Sequence, residues 1–245
     1  MVATIAPPAT ATTSTVTAAV NEPATATSEA TAVSLYGFVT PTPIAGAQET
    51  EFRPGTGDVG WWTDGPDGQI NLNDSYLYAG ALDGQNYLAA ARFDLKRIPR
   101  GTPILGGELR LTGLRADQFD PNAGGTWLVQ LLGQSELSTL GGANFMMIYS
   151  APASVTLLPQ LTSAEVSVGG VNRWVFDANT LQWIEQQRLN GADTIVARIV
   201  GATNPGGQSL FGWDSGIGPT SAGDGPVLAL SLGPAPTETP PAPDS

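Results

Sequence analysis

Four aromatic residues in one stretch of the chain have the right types and spacing to bind a carbohydrate. Trp61 and Trp62 are adjacent in a predicted strand, and Tyr76 and Tyr78 alternate in the next one. Exposed tryptophan and tyrosine rings stack on the apolar C–H faces of sugars. Adjacent side chains of a strand point to opposite faces, so we expect at most one of the two tryptophans in the core. The other is then exposed, or it clamps a loop, the N-terminal segment or a neighbouring subunit.

An oxygen-rich loop between these aromatic pairs contains side chains of the kind that bind calcium. They are Asp64, Asp67, Asn71, Asn73 and Asp74. Calcium takes several oxygen ligands and favours flexible acidic loops. The spacing differs from that of an EF-hand, and Asp and Asn beside Gly are also ordinary turn residues. The sequence therefore leaves both a calcium site and a set of plain turns open.

Arg92 and Arg110 belong to a predicted basic patch in an acidic chain. The patch also contains Lys96, Arg97 and Arg100. Guanidinium groups bind uronate or sulfate through paired hydrogen bonds. The alternative is cross-strand pairing with Asp94 and Glu108, and the sequence favours this pairing.

The composition excludes several classes of function. The chain has 245 residues, no cysteine, no histidine and a net charge of −12. It can form no disulfide, thiolate nucleophile, Ser-His-Asp triad or histidine-ligated metal site. A glycosidase needs two closely placed carboxylates, and no such pair is evident. A negative field repels nucleic acids and anionic membranes, and the apolar runs are too short to span a membrane.

The elements that must position these residues are predicted as antiparallel strands. Residues 87–114 show period-two alternation on both sides of a Pro/Gly turn, which predicts a hairpin. Its inward residues are Tyr87, Ala89, Ala91, Phe93 and Leu95 on the first strand and Leu105, Leu109 and Leu111 on the second. Strands are predicted near 60–63, 75–79, 87–95, 105–112, 126–132, 145–150, 154–158, 165–168, 171–176, 194–200, 209–213 and 227–232.

These strands indicate an all-β fold, an antiparallel β-sandwich of jelly-roll type with one short helix. Asp177 is the expected N-cap of that helix, and Asn190-Gly191 the expected stop. Three tryptophans, Trp127, Trp174 and Trp183, are expected in the core, whereas the position of Trp213 is left open.

Both ends of the chain are rich in Thr and Pro. We predict an extension or linker over 1–45, the sandwich over 46–233 and a Pro-rich linker over 234–245. Residues 14–20 and 32–39 are rich in β-formers and could add as strands to a sheet edge. Residues 1–16 lack the features of a signal peptide, so we expect that the natural N-terminus was processed or that the chain is truncated.

Three segments resemble DNRLRE-type domains. FDLKRIPRGTPILGGELRL is similar to the family's FDLS-x-IP-x-GA hallmark. NRWVFDANTLQWIEQQRLNGADTIVARIVG resembles its strand, short helix, Asn-Gly and strand unit, and SLFGWDSGIGPTSAGDGPVLALSL resembles its final hairpin. The resemblance covers roughly 60–232, although 118–170 departs from the pattern. The resemblance places Asp94 and Asp177 at strand ends, where we expect Asp94 to cap a turn and Asp177 to cap a helix.

The resemblance implies a non-catalytic module of the bacterial or archaeal cell surface or extracellular space. Some such modules bind acidic polysaccharides. We therefore expect a module that binds polysaccharide or mediates adhesion. The alternative is a structural subunit of a surface layer or filament that is assembled from neighbouring copies through the N-terminal segment. A polysaccharide-degrading enzyme is a distant third.

Overall fold

Twelve β-strands and two α-helices form the part of the chain that the computed structural model describes, which is residues 46–65, 67–122, 124–202 and 208–236. The strands are β1 (Gln48–Phe52), β2 (Val59–Thr63), β3 (Ile70–Leu72), β4 (Tyr76–Leu82), β5 (Gln85–Asp94), β6 (Ile104–Arg115), β7 (Thr126–Gly133), β8 (Val155–Thr162), β9 (Val171–Val175), β10 (Thr194–Val200), β11 (Phe211–Asp214) and β12 (Val227–Leu232). The helices are α1 (Phe145–Ser150) and α2 (Ala178–Leu189).

The strands pair antiparallel and form a sandwich, which confirms the predicted fold class. One half of the sheet has the order β3–β2–β5–β10–β7–β8, and the other has the order β1–β12–β6–β9. β11 pairs with both β6 and β4. β4 connects the two halves, because residues 76–79 pair with β11 and residues 80–82 pair with β5.

The predicted hairpin at residues 87–114 is wrong. β5 pairs with β10, β2 and β4, whereas β6 pairs with β12, β9 and β11. The Pro/Gly turn therefore connects the two halves of the sandwich. The alternation itself is confirmed over most of both strands, but Leu105 is 40% exposed. A register shift opposite Ser231 and Leu232 moves Leu105 to the solvent face.

The main core lies between the two halves of the sandwich. It contains the inward residues of β5, such as Phe93, and those of β6, such as Leu109. Trp127 and Trp213 pack edge to face at 6.3 Å between ring centroids. Their indole N–H groups donate to the Ala79 carbonyl at 3.0 Å and to Asn172 Oδ1 at 3.0 Å. Both tryptophans are therefore buried with their indole N–H groups hydrogen-bonded.

The other predicted core tryptophans are also found in or against the main core. Trp174 is buried, and its indole N–H donates to the Pro159 carbonyl at 2.9 Å. Trp183 is half-buried and packs against the main core.

A second, smaller core covers the outer face of β2, β5, β7 and β10. Trp62 and Leu88 are buried in it, beneath the segment 134–151 that contains α1. Trp62 donates its indole N–H to the Ala143 carbonyl at 2.8 Å. These strands are therefore apolar on both faces, and the period-two pattern of β5 is incomplete for this reason.

Arg198 of β10 holds the covering segment in place. It is 4% exposed and donates to the carbonyls of Ile148, Tyr149 and Ala151 at the end of α1. Gln130 Oε1 accepts from its other nitrogens at 2.6 and 3.1 Å. Burial lowers the pKa of Arg198. Helix-end carbonyls are natural partners for a cation.

The helices partly match the sequence expectation. α2 is confirmed, with Asp177 Oδ1 accepting from Thr180 N at 2.8 Å. The strand predicted at 145–150 is wrong, because Asn144 caps Met147 N and begins α1. The strand predicted at 165–168 is wrong, because this segment is irregular and lies between two turns, closed by the hydrogen bonds from Glu165 N to the Thr162 carbonyl and from Gly170 N to the Ser167 carbonyl. β1 and β3 were not predicted.

Gly80 marks the point at which β4 passes from one half of the sandwich to the other. It has a φ of 139°. A Cβ atom there would overlap the Ser209 carbonyl, and a Cβ on Gly201 would overlap the Gly80 backbone. Ser209 N donates to the Ala81 carbonyl at 3.0 Å, and Ser209 Oγ accepts from Ala81 N at 3.2 Å. The crossing therefore requires glycine at positions 80 and 201.

We expect Gly80→Ala to lower the free energy of unfolding by about 3 kcal/mol or more, since backbone strain and overlap add. Gly84→Ala is the control, because Gly84 has a φ of 80° but open space around its Cβ position. It should cost only about 1 kcal/mol. Urea denaturation of both variants measures the change in the free energy of unfolding. Equal losses of stability in the two variants would contradict the close crossing.

Arg198→Met should lower the free energy of unfolding by about 2–4 kcal/mol, because carbonyls at the end of α1 lose their donor. Hydrogen exchange should accelerate in the segment 134–151. Arg53→Met is the control, because the Arg53 side chain is 51% exposed and forms a surface ion pair with Glu51. Unchanged exchange in segment 134–151 of Arg198→Met would contradict the anchoring role.

Candidate functional site

A cluster of aromatic residues and one arginine lies where β2, β4, β5 and β6 approach each other. Its members, here called the tyrosine–arginine cluster, are Trp61, Tyr76, Tyr78, Tyr87 and Arg115. Trp61 and Tyr78 are buried, and Tyr76, Tyr87 and Arg115 are half-buried. The cluster therefore presents a partly exposed rim around a buried aromatic centre.

The four rings form a continuous row. Trp61 lies 5.6 Å from Tyr87 and 5.5 Å from Tyr78 between ring centroids. Tyr78 stacks on Tyr76 at 5.1 Å with 27° between the ring planes. Each separation falls in the range of favourable aromatic pairs. The rings thus fix one another before any ligand arrives.

The register of three strands creates this arrangement. Gly212 of β11 lies beside Tyr78 on one side and Arg115 on the other. A Cβ atom at Gly212 would lie 2.9 Å from Tyr78 Cε1 and 3.4 Å from Arg115 Cβ. The glycine therefore leaves room for the Tyr78 ring and allows Arg115 to reach it.

Arg115 connects the rings to a carboxylate. Its Nη1 donates to the Tyr78 hydroxyl at 3.0 Å, and its guanidinium lies 5.2 Å from the centre of the Tyr76 ring. Its Nε and Nη2 donate to the two carboxylate oxygens of Asp117, the latter at 2.7 Å. Asp117 raises the pKa of Arg115, and the hydrogen bond from Arg115 lowers the pKa of Asp117.

Asp74 accepts from Trp61 in the cluster, and burial favours the neutral form of Tyr78 and Tyr87. Asp74 Oδ2 accepts from Trp61 Nε1 at 2.8 Å. Burial raises the pKa of Tyr78 to about 12, and it also raises the pKa of Tyr87, with a smaller contribution from Asp83. The phenols of Tyr78 and Tyr87 are therefore uncharged hydrogen-bonding groups near neutral pH.

The structure separates the two tryptophans that the sequence places side by side. Trp61 is 8% exposed and Trp62 is fully buried, so the expectation of at most one core tryptophan is wrong. The physical reason is that both faces of β2 are covered, one by each core. The expectation that the other one contacts a covering loop is confirmed, because Trp62 lies beneath the segment 134–151 and donates to the Ala143 carbonyl. Trp61, Tyr76 and Tyr78 lie together, and Trp62 lies apart. No indole face of this pair is free to act as a sugar platform.

Two cluster members, Tyr87 and Arg115, and the cluster's partner Asp117 are absent from the sequence-based set of ligand-binding residues. Tyr87 has a detectable signal, because it begins the inward face of β5 in the period-two pattern. Arg115 has none. Its neighbours come from β4 and β11, and nothing in the sequence gives that strand order.

The oxygen-rich loop is organised by hydrogen bonds to other protein groups. Asp64 accepts from Asn86 N and Nδ2 at 2.8 and 2.5 Å, and Asn73 Oδ1 accepts from Gly57 N at 2.5 Å. Asp74 accepts from Trp61 and from Ser75 N.

The two other candidate calcium ligands lie in different parts of the β2–β3 hairpin. Asp67 lies in an exposed turn, and Asn71 lies on β3. Over residues 46–65, 67–122, 124–202 and 208–236, no three Asp or Glu side chains are grouped closely enough to share a cation. The geometry favours turns over a calcium site.

Arg92 and Arg110 do not form one basic patch, since β5 and β6 belong to different halves of the sandwich. Arg92 Nε donates to Asp58 Oδ1 at 2.6 Å, and its Nη1 donates to the Ser138 carbonyl at 2.8 Å. The carboxylate partner of Arg92 is therefore Asp58, and the predicted cross-strand pairing with Glu108 of β6 is not formed. Asp94 accepts from Lys96 N, as expected of a turn cap.

Arg110 takes part in a row of charges across β1, β6 and β9. It pairs with Glu51 and lies 3.2 Å from Glu108, which also pairs with Arg173 at 3.0 Å. Its hydrogen bond lowers the pKa of Glu51. The contact with Glu108 lies within β6, so the predicted cross-strand pairing is not formed, and Arg110 leaves no free guanidinium here for a uronate or sulfate group.

No family model matches the chain, and a search of curated proteins found no similar one. None of the helices in the described ranges is long and apolar enough to cross a membrane. The function must therefore be argued from the site itself.

The pKa of Tyr78 predicts how stability changes in alkali. Its folded value of about 12 exceeds the ordinary value of 10.0, so the neutral form is favoured by folding. This contribution is complete below pH 10 and is lost as the pH rises to 12. We expect Tyr78→Phe to reduce the fall in stability over that window. Urea denaturation at several pH values measures the slope, and an identical slope in wild type and variant would contradict the burial of Tyr78.

Proposed function

We propose that this chain is a non-catalytic binding module that recognises a polysaccharide through the tyrosine–arginine cluster. The single observation that carries the proposal is the fixed row of four aromatic rings with a polar rim on one part of the surface. An ordered site of this kind binds without the entropic cost of arranging its own side chains.

The chemistry of the rim suits a carbohydrate. Sugars present apolar C–H faces and many hydroxyl groups. The rim offers half-buried Tyr76 beside the polar groups of Arg115 and Asp117, and half-buried Tyr87 at the other end of the row. The tyrosine O–H and guanidinium N–H groups donate hydrogen bonds, and the carboxylate oxygens accept them. Aromatic rings and paired polar groups supply stacking and orientation together.

The setting we propose is outside the cell. The resemblance to DNRLRE-type domains supports an extracellular or cell-surface module, and the acidic chain without cysteine is compatible with it. The Thr/Pro-rich extension at 1–45 suits a linker to another part of a surface protein. Its β-forming stretches, 14–20 and 32–39, lie outside the described residues.

A structural subunit is the second candidate function, and the surface of β9 is the observation that favours it. Within the described ranges β9 pairs with β6 alone, so its other edge has no strand partner. Val171 and Val175 are exposed on β9, at 38% and 54%. Edge strands with exposed apolar side chains can pair with a strand of another copy.

Replacing cluster residues should weaken binding to polysaccharide. We expect Tyr76→Ala and Arg115→Ala each to weaken retention by at least about fivefold, or about 1 kcal/mol, since each removes a rim contact and loosens the stack. The measurement is affinity electrophoresis on gels containing a panel of neutral and acidic polysaccharides. Tyr149→Ala is the control, because Tyr149 is 47% exposed on α1 and outside the cluster.

The result that overturns the proposal is the absence of retention of the full chain on every gel of the panel. Retention that both cluster variants preserve would also overturn it, because binding would then lie elsewhere. Light scattering of the same samples separates the second candidate. Ordered higher oligomers that Val175→Glu disrupts would support assembly, and a monomer at high concentration would contradict it.

A further inference from the structure

We propose that the tyrosine–arginine cluster selects uncharged glycans over glycans that carry carboxylate or sulfate groups. The Arg115–Asp117 pair is then the specificity-determining element. This inference rests on the proposed function, since it assigns a ligand class to the same site.

The guanidinium of Arg115 is already occupied by a carboxylate. Its Nε and Nη2 face both oxygens of Asp117, the geometry in which arginine binds a planar anion. Its Nη1 donates to the Tyr78 hydroxyl at 3.0 Å. A uronate or sulfate group would therefore have to displace Asp117 before it could form the same paired contact.

Further carboxylates surround the cluster. Asp74 accepts from the indole of Trp61, and Asp83 is close enough to raise the pKa of Tyr87. With Asp117, three carboxylates of the described residues lie on or next to the site, which itself contains the guanidinium of Arg115. Their field opposes an anionic ligand, and the chain's net charge of −12 adds to it.

The groups that remain free at the rim suit hydroxyl groups instead. A carboxylate that accepts from one arginine still has lone pairs that can accept from a sugar hydroxyl. The Asp117 side chain is 52% exposed, and that of Arg115 is 42% exposed, so both are within reach of a ligand. Tyr76 and Tyr87 add phenol hydroxyl groups to the half-buried rim. Polar recognition without net charge is the chemistry that this arrangement provides.

The test compares polysaccharides that share a backbone and differ in charge. The pairs are hydroxyethylcellulose and carboxymethylcellulose, dextran and dextran sulfate, and methyl-esterified and de-esterified pectin. Affinity electrophoresis of the full chain should show retention on the neutral member of at least one pair. Retention on the charged member should be at least about threefold weaker, because one exposed charge–charge interaction changes affinity by about that factor.

Asp117→Asn should reverse the selectivity. It leaves the guanidinium of Arg115 without a counter-charge, so retention on the charged member should rise at least about threefold at low salt and fall again as salt is added. Asp120→Asn is the matched control, because it removes one negative charge from an exposed position whose carboxylate caps Asn122 N instead of pairing with an arginine. Thermal unfolding confirms that both variants remain folded.

Each outcome decides one point. Equal or stronger retention of wild type on the charged members overturns the selectivity and leaves the proposed function standing. Equal gains in Asp117→Asn and Asp120→Asn also overturn it, because net charge alone would then explain the change. No retention on any polysaccharide, neutral or charged, overturns the proposed function and this inference with it.

Discussion

At Gly80 the backbone of β4 lies against Gly201 and the carbonyl of Ser209 with no room for a Cβ atom. This close passage lets one strand serve both halves of the sandwich, pairing first with β11 and then with β5. The hydrogen bonds between Ser209 and Ala81 hold the strand on the far side of the crossing, and the Trp127 indole binds the Ala79 carbonyl on the near side. Because the first half of β4 joins β11, Tyr78 reaches Gly212 and Arg115. The candidate site thus depends on a contact between backbones.

Arginines have mostly structural roles in this protein. Arg198 ties the covering segment to the sandwich, Arg92 binds Asp58 and the Ser138 carbonyl, and Arg110 joins β6 to β1 through Glu51. In a chain with only ten lysines and arginines, these roles leave few free cations. Arg115 differs in its surroundings because its neighbours are tyrosines. A paired guanidinium within an aromatic row is suited to hydrogen bonding, and an unpaired one would be suited to capturing anions.

The sequence predicts local features of this fold well because they depend on local physics. The alternation of β5, the cap at Asp177 and the core positions of Trp127 and Trp174 follow from periodicity, capping and burial. The pairing of strands is different, since β5 and β6 look like a hairpin yet belong to different halves. The site needs that pairing. Trp61, Tyr76 and Tyr78 were found from residue type, whereas Arg115 is brought to them only by the register of β11 with its two neighbours.

Mapping of a bound ligand by NMR locates the binding site without any substitution. We expect a neutral oligosaccharide to shift the side-chain Nε–H of Arg115 and the amides near Tyr76, Tyr87 and Gly212. Amides of α1 and β9 should remain unchanged. Shifts concentrated on α1 or β9, with the Arg115 signal unmoved, would contradict the assignment of the tyrosine–arginine cluster as the binding site.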